Sequence, residues 1–119
     1  MTDLQERAAR LTARRAVLGI ARDHPELPEP FGGPTHVNFW LLDYEDAERA
    51  SMALTAAKGV FAAELGVTFA RRPMWHPNGL RYSWEAQIAK GLTLALIIKA
   101  EHADDAEDEP APEMAGAAA

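Results

Sequence analysis

Two consecutive segments near the C-terminal end constrain the fold of this chain more than any other feature. Residues 80–88, LRYSWEAQI, alternate between apolar and polar side chains, which is the period of a half-buried β-strand. Residues 92–101, LTLALIIKAE, form a nearly continuous apolar run, which is typical of a central strand. Because only a few residues around Lys90-Gly91 separate them, the sequence predicts an antiparallel hairpin at the centre of a sheet.

The register of this hairpin follows from the side chains that each loop length brings together. A three-residue loop ending at Gly91 places Tyr82 opposite Ile98, whereas a two-residue loop places it opposite Lys99. Apolar pairing favours the longer loop, in which Gly91 is the left-handed residue of a bulge. Arg81 then faces Lys99, and two like charges in register indicate a nearby anion or carboxylate.

The remaining elements predict an α+β fold. A first helix is expected over 3–23, capped by Thr2 or Asp3, and a second is expected from an Asp43 cap to Gly66. Strands are expected over 36–42 and 67–72, with a loop over 73–79. A right-handed crossover places the first strand beside the last, which gives one four-stranded mixed sheet in the order 2-3-4-1. The second helix covers one face, and the first covers part of the other face or crosses an edge.

The first predicted helix has an apolar stripe and a basic face. Helical spacing predicts that the stripe of Leu4, Ala8, Leu11 and Leu18 is buried, with Val17 and Ala21 beside it. The basic face either pairs with acids one turn earlier or contacts phosphates. Its arginines are Arg7, Arg10 and Arg14.

The net charge of the chain is concentrated at its C-terminal end. The 119 residues carry 18 acidic and 12 basic side chains, a net charge of −6. Residues 104–119 contain six acids and no base, so residues 1–103 are neutral. With two prolines and no aromatic residue, the acidic segment is predicted to be a disordered tail on a single domain of residues 1–103.

The acidic segment has three expected roles. It confers solubility, competes for a basic surface of a partner, or acts as an electrostatic brake on a basic patch of the domain itself. Its deletion is expected to change the free energy of unfolding by no more than about 0.5 kcal/mol, because changes in a disordered terminus rarely do more.

Composition excludes several kinds of function. Without cysteine the chain has no disulfide framework and no thiolate zinc site. No apolar run reaches the ~18 residues of a membrane span, so we expect a cytoplasmic protein. The four histidines lack the spacing of metal ligands, and neither a metal nor another cofactor is expected. A small hydrolase built on Ser83, His76 and Glu85 is a third-ranked hypothesis.

The strongest local signal is a segment in which arginines alternate with aromatic residues, and it has two interpretations. The first is a protein-binding surface, because aromatic residues, Met and Arg are enriched in interface cores. Its expected residues are Met74, Trp75, Arg71, Arg72, Arg81 and Trp40. The second is a nucleic-acid-binding patch in which arginines contact phosphates and an aromatic side chain stacks on bases. Its expected residues are Arg7, Arg10, Arg14, Arg71, Arg72, Trp75 and Arg81.

Residues 35–101 resemble small uncharacterised proteins of actinobacterial phages and mobile elements. The resemblance rests on an Ala-rich helix that ends in Leu65-Gly66, followed by a strand and an Arg-Arg-Pro corner over 71–73. It implies an accessory or regulatory protein and transfers no activity.

We therefore expect a non-enzymatic accessory or regulatory module that binds protein, most simply as a homodimer with a further partner. A small nucleic-acid-binding accessory protein is the alternative. In the first case Trp75, between Pro73 and Pro77, is expected to be an exposed anchor, so that its replacement by alanine weakens association without affecting folding.

Overall fold

Five strands form one mixed sheet, and both long helices lie on the same face of it. The computed structural model describes residues 2–42, 44 and 46–103. The elements are α1 (Asp3–Asp23), β1 (Pro30–Phe31), β2 (His36–Trp40), α2 (Ala47–Leu65), β3 (Ala70–His76), β4 (Gly79–Ala89), β5 (Leu92–Lys99) and α3 (Ala100–Ala103). The sheet order is β1-β2-β5-β4-β3, in which β2 runs parallel to β5 and the other neighbours are antiparallel. No helix of the described ranges is both long and apolar enough to cross a membrane.

The predicted class and the predicted neighbours of the four main strands are confirmed. The order 2-3-4-1 of the sequence analysis is the order β3-β4-β5-β2 of the structure, and β1 adds a fifth strand beside β2. The hairpin has the predicted register, with Tyr82 opposite Ile98 and Arg81 opposite Lys99. Gly91 has a φ of 80°, the left-handed conformation that the bulge requires.

The core lies between the two helices and one face of the sheet. Alternate strand residues such as Phe39, Trp84 and Leu96 point into it. Phe61 of α2 meets Phe39 with 5.2 Å between ring centroids, and fully buried alanines allow α2 to approach the sheet closely. Since Val17 of α1 belongs to the same core, the prediction that α1 covers the other face or an edge is wrong.

The predicted buried stripe of α1 is wrong at its leucines and confirmed at Val17 and Ala21, which pack in the core. The three leucines of the predicted stripe, Leu4, Leu11 and Leu18, are exposed. The most exposed is Leu4, at 76%. The helix instead buries Val17 and Ile20, which lie in its C-terminal half. Its N-terminal half is held by polar contacts with the β4–β5 turn. Glu6 lies 3.1 Å from Nζ of Lys90, and Arg10 donates to the carbonyl of Lys90 at 3.4 Å. These contacts direct the leucines outward.

The strand β3 extends four residues beyond the predicted end. It continues through Met74 and Trp75 to His76, where a turn at Pro77-Asn78 leads into β4. The sequence predicts a loop over 73–79, and Pro73 cannot donate to a strand ladder. An edge strand tolerates a proline whose nitrogen faces away from its neighbour, and β3 is such an edge.

Other boundaries also differ from the predictions, and one predicted segment is not tested. The helix α2 is capped by Asp46, whose side chain accepts a hydrogen bond from the Glu48 amide at 2.9 Å; the predicted cap, Asp43, lies outside the described residues. The last strand ends at Lys99, because residues 100–103 turn into α3. The predicted disordered segment 104–119 also lies outside the described residues.

Candidate functional site

The face of the sheet opposite the helices is the main candidate site, and we call it the open face. Side chains directly opposite one another in the ladders share a face, so the register defines its residues. They include Trp40 of β2, Arg72 and Met74 of β3, Arg81, Ser83 and Glu85 of β4, and Ala95, Ile97 and Lys99 of β5. Four of the six residues predicted to bind a protein partner lie here: Trp40, Arg72, Met74 and Arg81.

The open face has a buried floor and a rim of larger side chains. Ser83 and Ala95 are each 1% exposed and Ile97 is 4% exposed, although neither long helix lies over them. The floor forms a shallow depression of about 360 Å³, with Trp40 and Met74 among its walls. The floor is small and largely apolar, whereas the rim is aromatic and charged.

An aromatic contact fixes one side of the rim. Phe31 of β1 meets Trp40 edge to face, with ring centroids 5.0 Å apart. The guanidinium of Arg81 lies 5.4 Å from the centroid of Trp40, within the range of a cation–π interaction. Phe31 has no signal in the sequence, because a two-residue strand in a proline-rich loop shows no periodicity. The two contacts bring the rings of Phe31 and Trp40 and the charge of Arg81 together on this side of the rim.

A short polar chain crosses the floor. Ser83 Oγ donates to Glu85 Oε2 at 2.8 Å, and Arg72 Nε lies 3.8 Å from the other carboxylate oxygen. The charge of Arg72 is therefore compensated within the open face. His76 does not join this chain, because it lies four residues along β3 from Arg72, or roughly 13 Å away. The structure does not bring the three residues of the hydrolase hypothesis together.

A basic pair marks one end of the open face. Arg81 and Lys99 are cross-strand neighbours, and both are partly buried. They line a second depression of about 450 Å³ together with Trp40 and Glu101. Within the described ranges no carboxylate lies within 4 Å of either cation. The expected carboxylate partner is thus not found in this part of the chain.

The other two predicted partner-binding residues lie on the helix side of the edge strand β3. Arg71 is opposite Trp84 in the ladder, and its guanidinium lies 4.5 Å from the ring centroid of Tyr82. Trp75 is opposite Leu80 and is 81% exposed. The segment that appeared continuous in the sequence is therefore divided between two sides of the sheet.

Two of the three α1 arginines proposed for phosphate contacts serve the fold. Arg14 donates to the carbonyls of Gly33 at 2.8 Å and Pro34 at 3.2 Å, and more weakly to that of His36 at 3.5 Å. These bonds tie α1 to the loop before β2. Arg10 contacts the β4–β5 turn, and Arg7 is exposed. The predicted nucleic-acid set does not form one surface.

The site has to be interpreted from its own chemistry. Among the described residues there is no cluster of three or more His, Asp or Glu side chains suited to a metal ion. Comparison with protein-family profiles, with curated protein sequences and with solved structures found no match to this chain.

Proposed function

We propose that this protein is a non-enzymatic protein-binding module that forms a homodimer through its open face. The observation that carries the proposal is the exposed apolar rim of Phe31 and Met74 around an apolar floor, on a sheet face that neither long helix covers. A sheet face of this kind packs well against a second sheet. The rim supplies Trp, Met and Arg, the residue types enriched in interface cores.

The size of the open face suits a second copy. Four strand spacings of ~4.8 Å and eight residues of β5 at ~3.3 Å give an area of roughly 500 Å² per copy. Two such faces bury about 1,000 Å² in total, which is near the lower limit of a specific interface. We therefore expect a reversible dimer rather than an obligate one.

The charges select one two-fold arrangement. The basic pair Arg81 and Lys99 lies at one end of the open face, whereas uncharged Gln87 and Thr93 lie at the other end. A two-fold axis in the interface plane and perpendicular to the strands places the basic end of one copy over the uncharged end of its partner. An axis parallel to the strands would instead bring the two basic pairs together, which is unfavourable.

Pairing through the sheet edges is less favourable. The edge strands β1 and β3 carry Pro30 and Pro73, and a proline at an edge removes a donor that a neighbouring strand would use. The strand β1 is also only two residues long. Both features are typical of edges that are protected against association.

The exposed leucines of α1 are a weaker candidate surface. Leu11 and Leu18 are followed one helical turn later by Arg15 and Arg22, all four of them exposed. A partner helix that packed on the two leucines would also have to contact the two arginines, which interrupt the apolar surface. On the open face the arginine beside the floor, Arg72, is instead compensated by Glu85 at 3.8 Å.

The experiment is a light-scattering mass measurement on two matched tryptophan variants. Trp40 lies on the open face, whereas Trp75 is exposed on the opposite side of β3. Trp40→Ala should weaken the dimer by at least about thirtyfold, as loss of an interface anchor does, while Trp75→Ala should leave the dissociation constant within about twofold. The sequence-based expectation that Trp75 is the anchor gives the reverse result.

A second measurement distinguishes the proposed protein-binding module from a nucleic-acid-binding protein. A labelled single-stranded oligonucleotide is titrated with the protein at low and at moderate salt. Binding that depends on Trp40 and Arg81 and falls steeply with salt would contradict a protein-binding open face and favour the alternative. Absence of binding at low salt, together with a concentration-dependent mass, supports the proposal.

A further inference from the structure

We infer that the acidic segment 104–119 of this chain docks through its carboxylates on the basic pair Arg81 and Lys99. The docked segment then competes with a second copy for the end of the open face. The competition rests on the proposed function, whereas the docking itself does not.

The receptor is a pair of like charges held close together without a carboxylate partner in the described ranges. Arg81 is directly opposite Lys99 in the β4–β5 ladder, where like charges repel. The guanidinium of Arg81 also lies 5.4 Å from the ring centroid of Trp40, a cation–π contact that favours this position of the charge. A carboxylate in the adjoining 450 Å³ depression would relieve this repulsion.

Among the described residues that line this depression, Glu101 is the only acid. Its carboxylate is 3.8 Å from Nε2 of the neighbouring His102, and its side chain is 76% exposed. It therefore does not neutralise the pair, and room remains for a second carboxylate.

The acidic segment matches this receptor in charge and in position. It holds six acids and no base, whereas residues 1–103 carry no net charge. The chain passes from Lys99 through four residues of α3, one of which lines the depression, before the segment begins. Sixteen residues reach up to roughly 50 Å, so the segment easily covers the basic end of the open face. Tethering also gives its carboxylates a high effective concentration.

The first test follows the backbone amides of the full chain by NMR at a dilution where light scattering shows a monomer. Lys99→Gln should shift the backbone amides of the non-proline residues within 107–113. Lys90→Gln is the matched control. Lys90 lies in the β4–β5 turn, away from the basic pair, and pairs with Glu6 of α1. Unchanged amides in Lys99→Gln, or equal shifts in both variants, would overturn the docking.

The second test neutralises the segment and measures the dimer. The variant converts these six acids to their amides: Asp104, Asp105, Glu107, Asp108, Glu109 and Glu113. At low salt it should dimerise about fivefold more tightly than the parent, and the difference should vanish at ~0.5 M salt, as expected for exposed ion pairs.

The two proposals fail in different ways. Amide shifts in a protein that never dimerises support docking and contradict the homodimer. Conversely, the homodimer is supported and the docking is overturned if the protein dimerises, neutralising the six acids leaves the dimer affinity unchanged, and Lys99→Gln shifts no amide of the acidic segment.

Discussion

Arg81 lies directly opposite Lys99 in the β4–β5 ladder, and its guanidinium makes a cation–π contact with Trp40. The register that creates this like-charge pair is the one that also pairs Tyr82 with Ile98 in the same hairpin. Burial of the apolar pairs contributes more free energy than the repulsion costs, since each large buried side chain contributes roughly 1.5–3 kcal/mol. The pair is therefore a consequence of core packing that leaves a basic spot on the open face.

The first prediction concerns the cost of this pair. In the chain with the six terminal acids neutralised, Lys99→Gln should raise the free energy of unfolding by about 0.5 kcal/mol, because it removes the cross-strand repulsion. Lys90→Gln should instead lower it by about 0.3 kcal/mol, since Lys90 loses its partner Glu6. Urea unfolding at low salt measures both, and a loss of stability in Lys99→Gln would contradict the repulsion.

The second prediction concerns the β1–β2 turn. Gly32 has a φ of 155°, and a Cβ there would clash with the carbonyl oxygen of His36. Gly32→Ala should therefore cost at least about 2 kcal/mol, because the backbone must move. At the neighbouring Gly33 a Cβ meets nothing within 4 Å, so Gly33→Ala should change stability by no more than about 0.5 kcal/mol. Similar losses in both variants would mean that the turn is not held in this conformation.

The third prediction concerns the attachment of α1. Arg14→Ala should lower the free energy of unfolding by about 1–2 kcal/mol, because the carbonyls of Gly33 and Pro34 lose a charged donor. Arg7→Ala is the control on the same helix and should change stability by less than about 0.5 kcal/mol, since Arg7 is exposed. Thermal melts compare the two. An equally small effect of Arg14→Ala would show that α1 is held by its apolar contacts alone.

The fourth prediction compares two tryptophans of neighbouring strands. Trp84 is 2% exposed in the core, so Trp84→Ala should cost about 3–5 kcal/mol of folding stability. Trp75 is 81% exposed, so Trp75→Ala should cost no more than about 0.5 kcal/mol. Chemical denaturation gives both values, and a large loss in Trp75→Ala would make it a packing residue.

The hairpin was predictable because two independent patterns agreed. The alternation in residues 80–88 fixed which side chains share a face, and the pairing of apolar residues fixed the loop length. The α2 helix was similarly marked by its alanine stripe and by Gly66, which caps it in the left-handed conformation.

Elements governed by tertiary contacts were not predictable in the same way. Periodicity shows that α1 has an apolar stripe, but the contacts of Glu6 and Arg10 with the β4–β5 turn determine which side faces the sheet. The extension of β3 past Pro73 depends on that strand being an edge, which only the assembled sheet establishes. The candidate site was hard to predict for a related reason. Consecutive residues of β3 lie on opposite faces of the sheet, so the segment that carries the arginines and aromatic residues does not form one surface.

The most direct test of the homodimer through the open face uses two adjacent isoleucines of β5. Ile97 lies on the floor of the open face, whereas Ile98 points into the core. In a mixture of isotope-labelled and unlabelled chains, filtered NMR experiments detect contacts between copies. We predict intermolecular contacts from the methyl groups of Ile97 and none from those of Ile98. A sample that is dimeric by light scattering but shows no intermolecular contact at Ile97 would contradict the proposed interface.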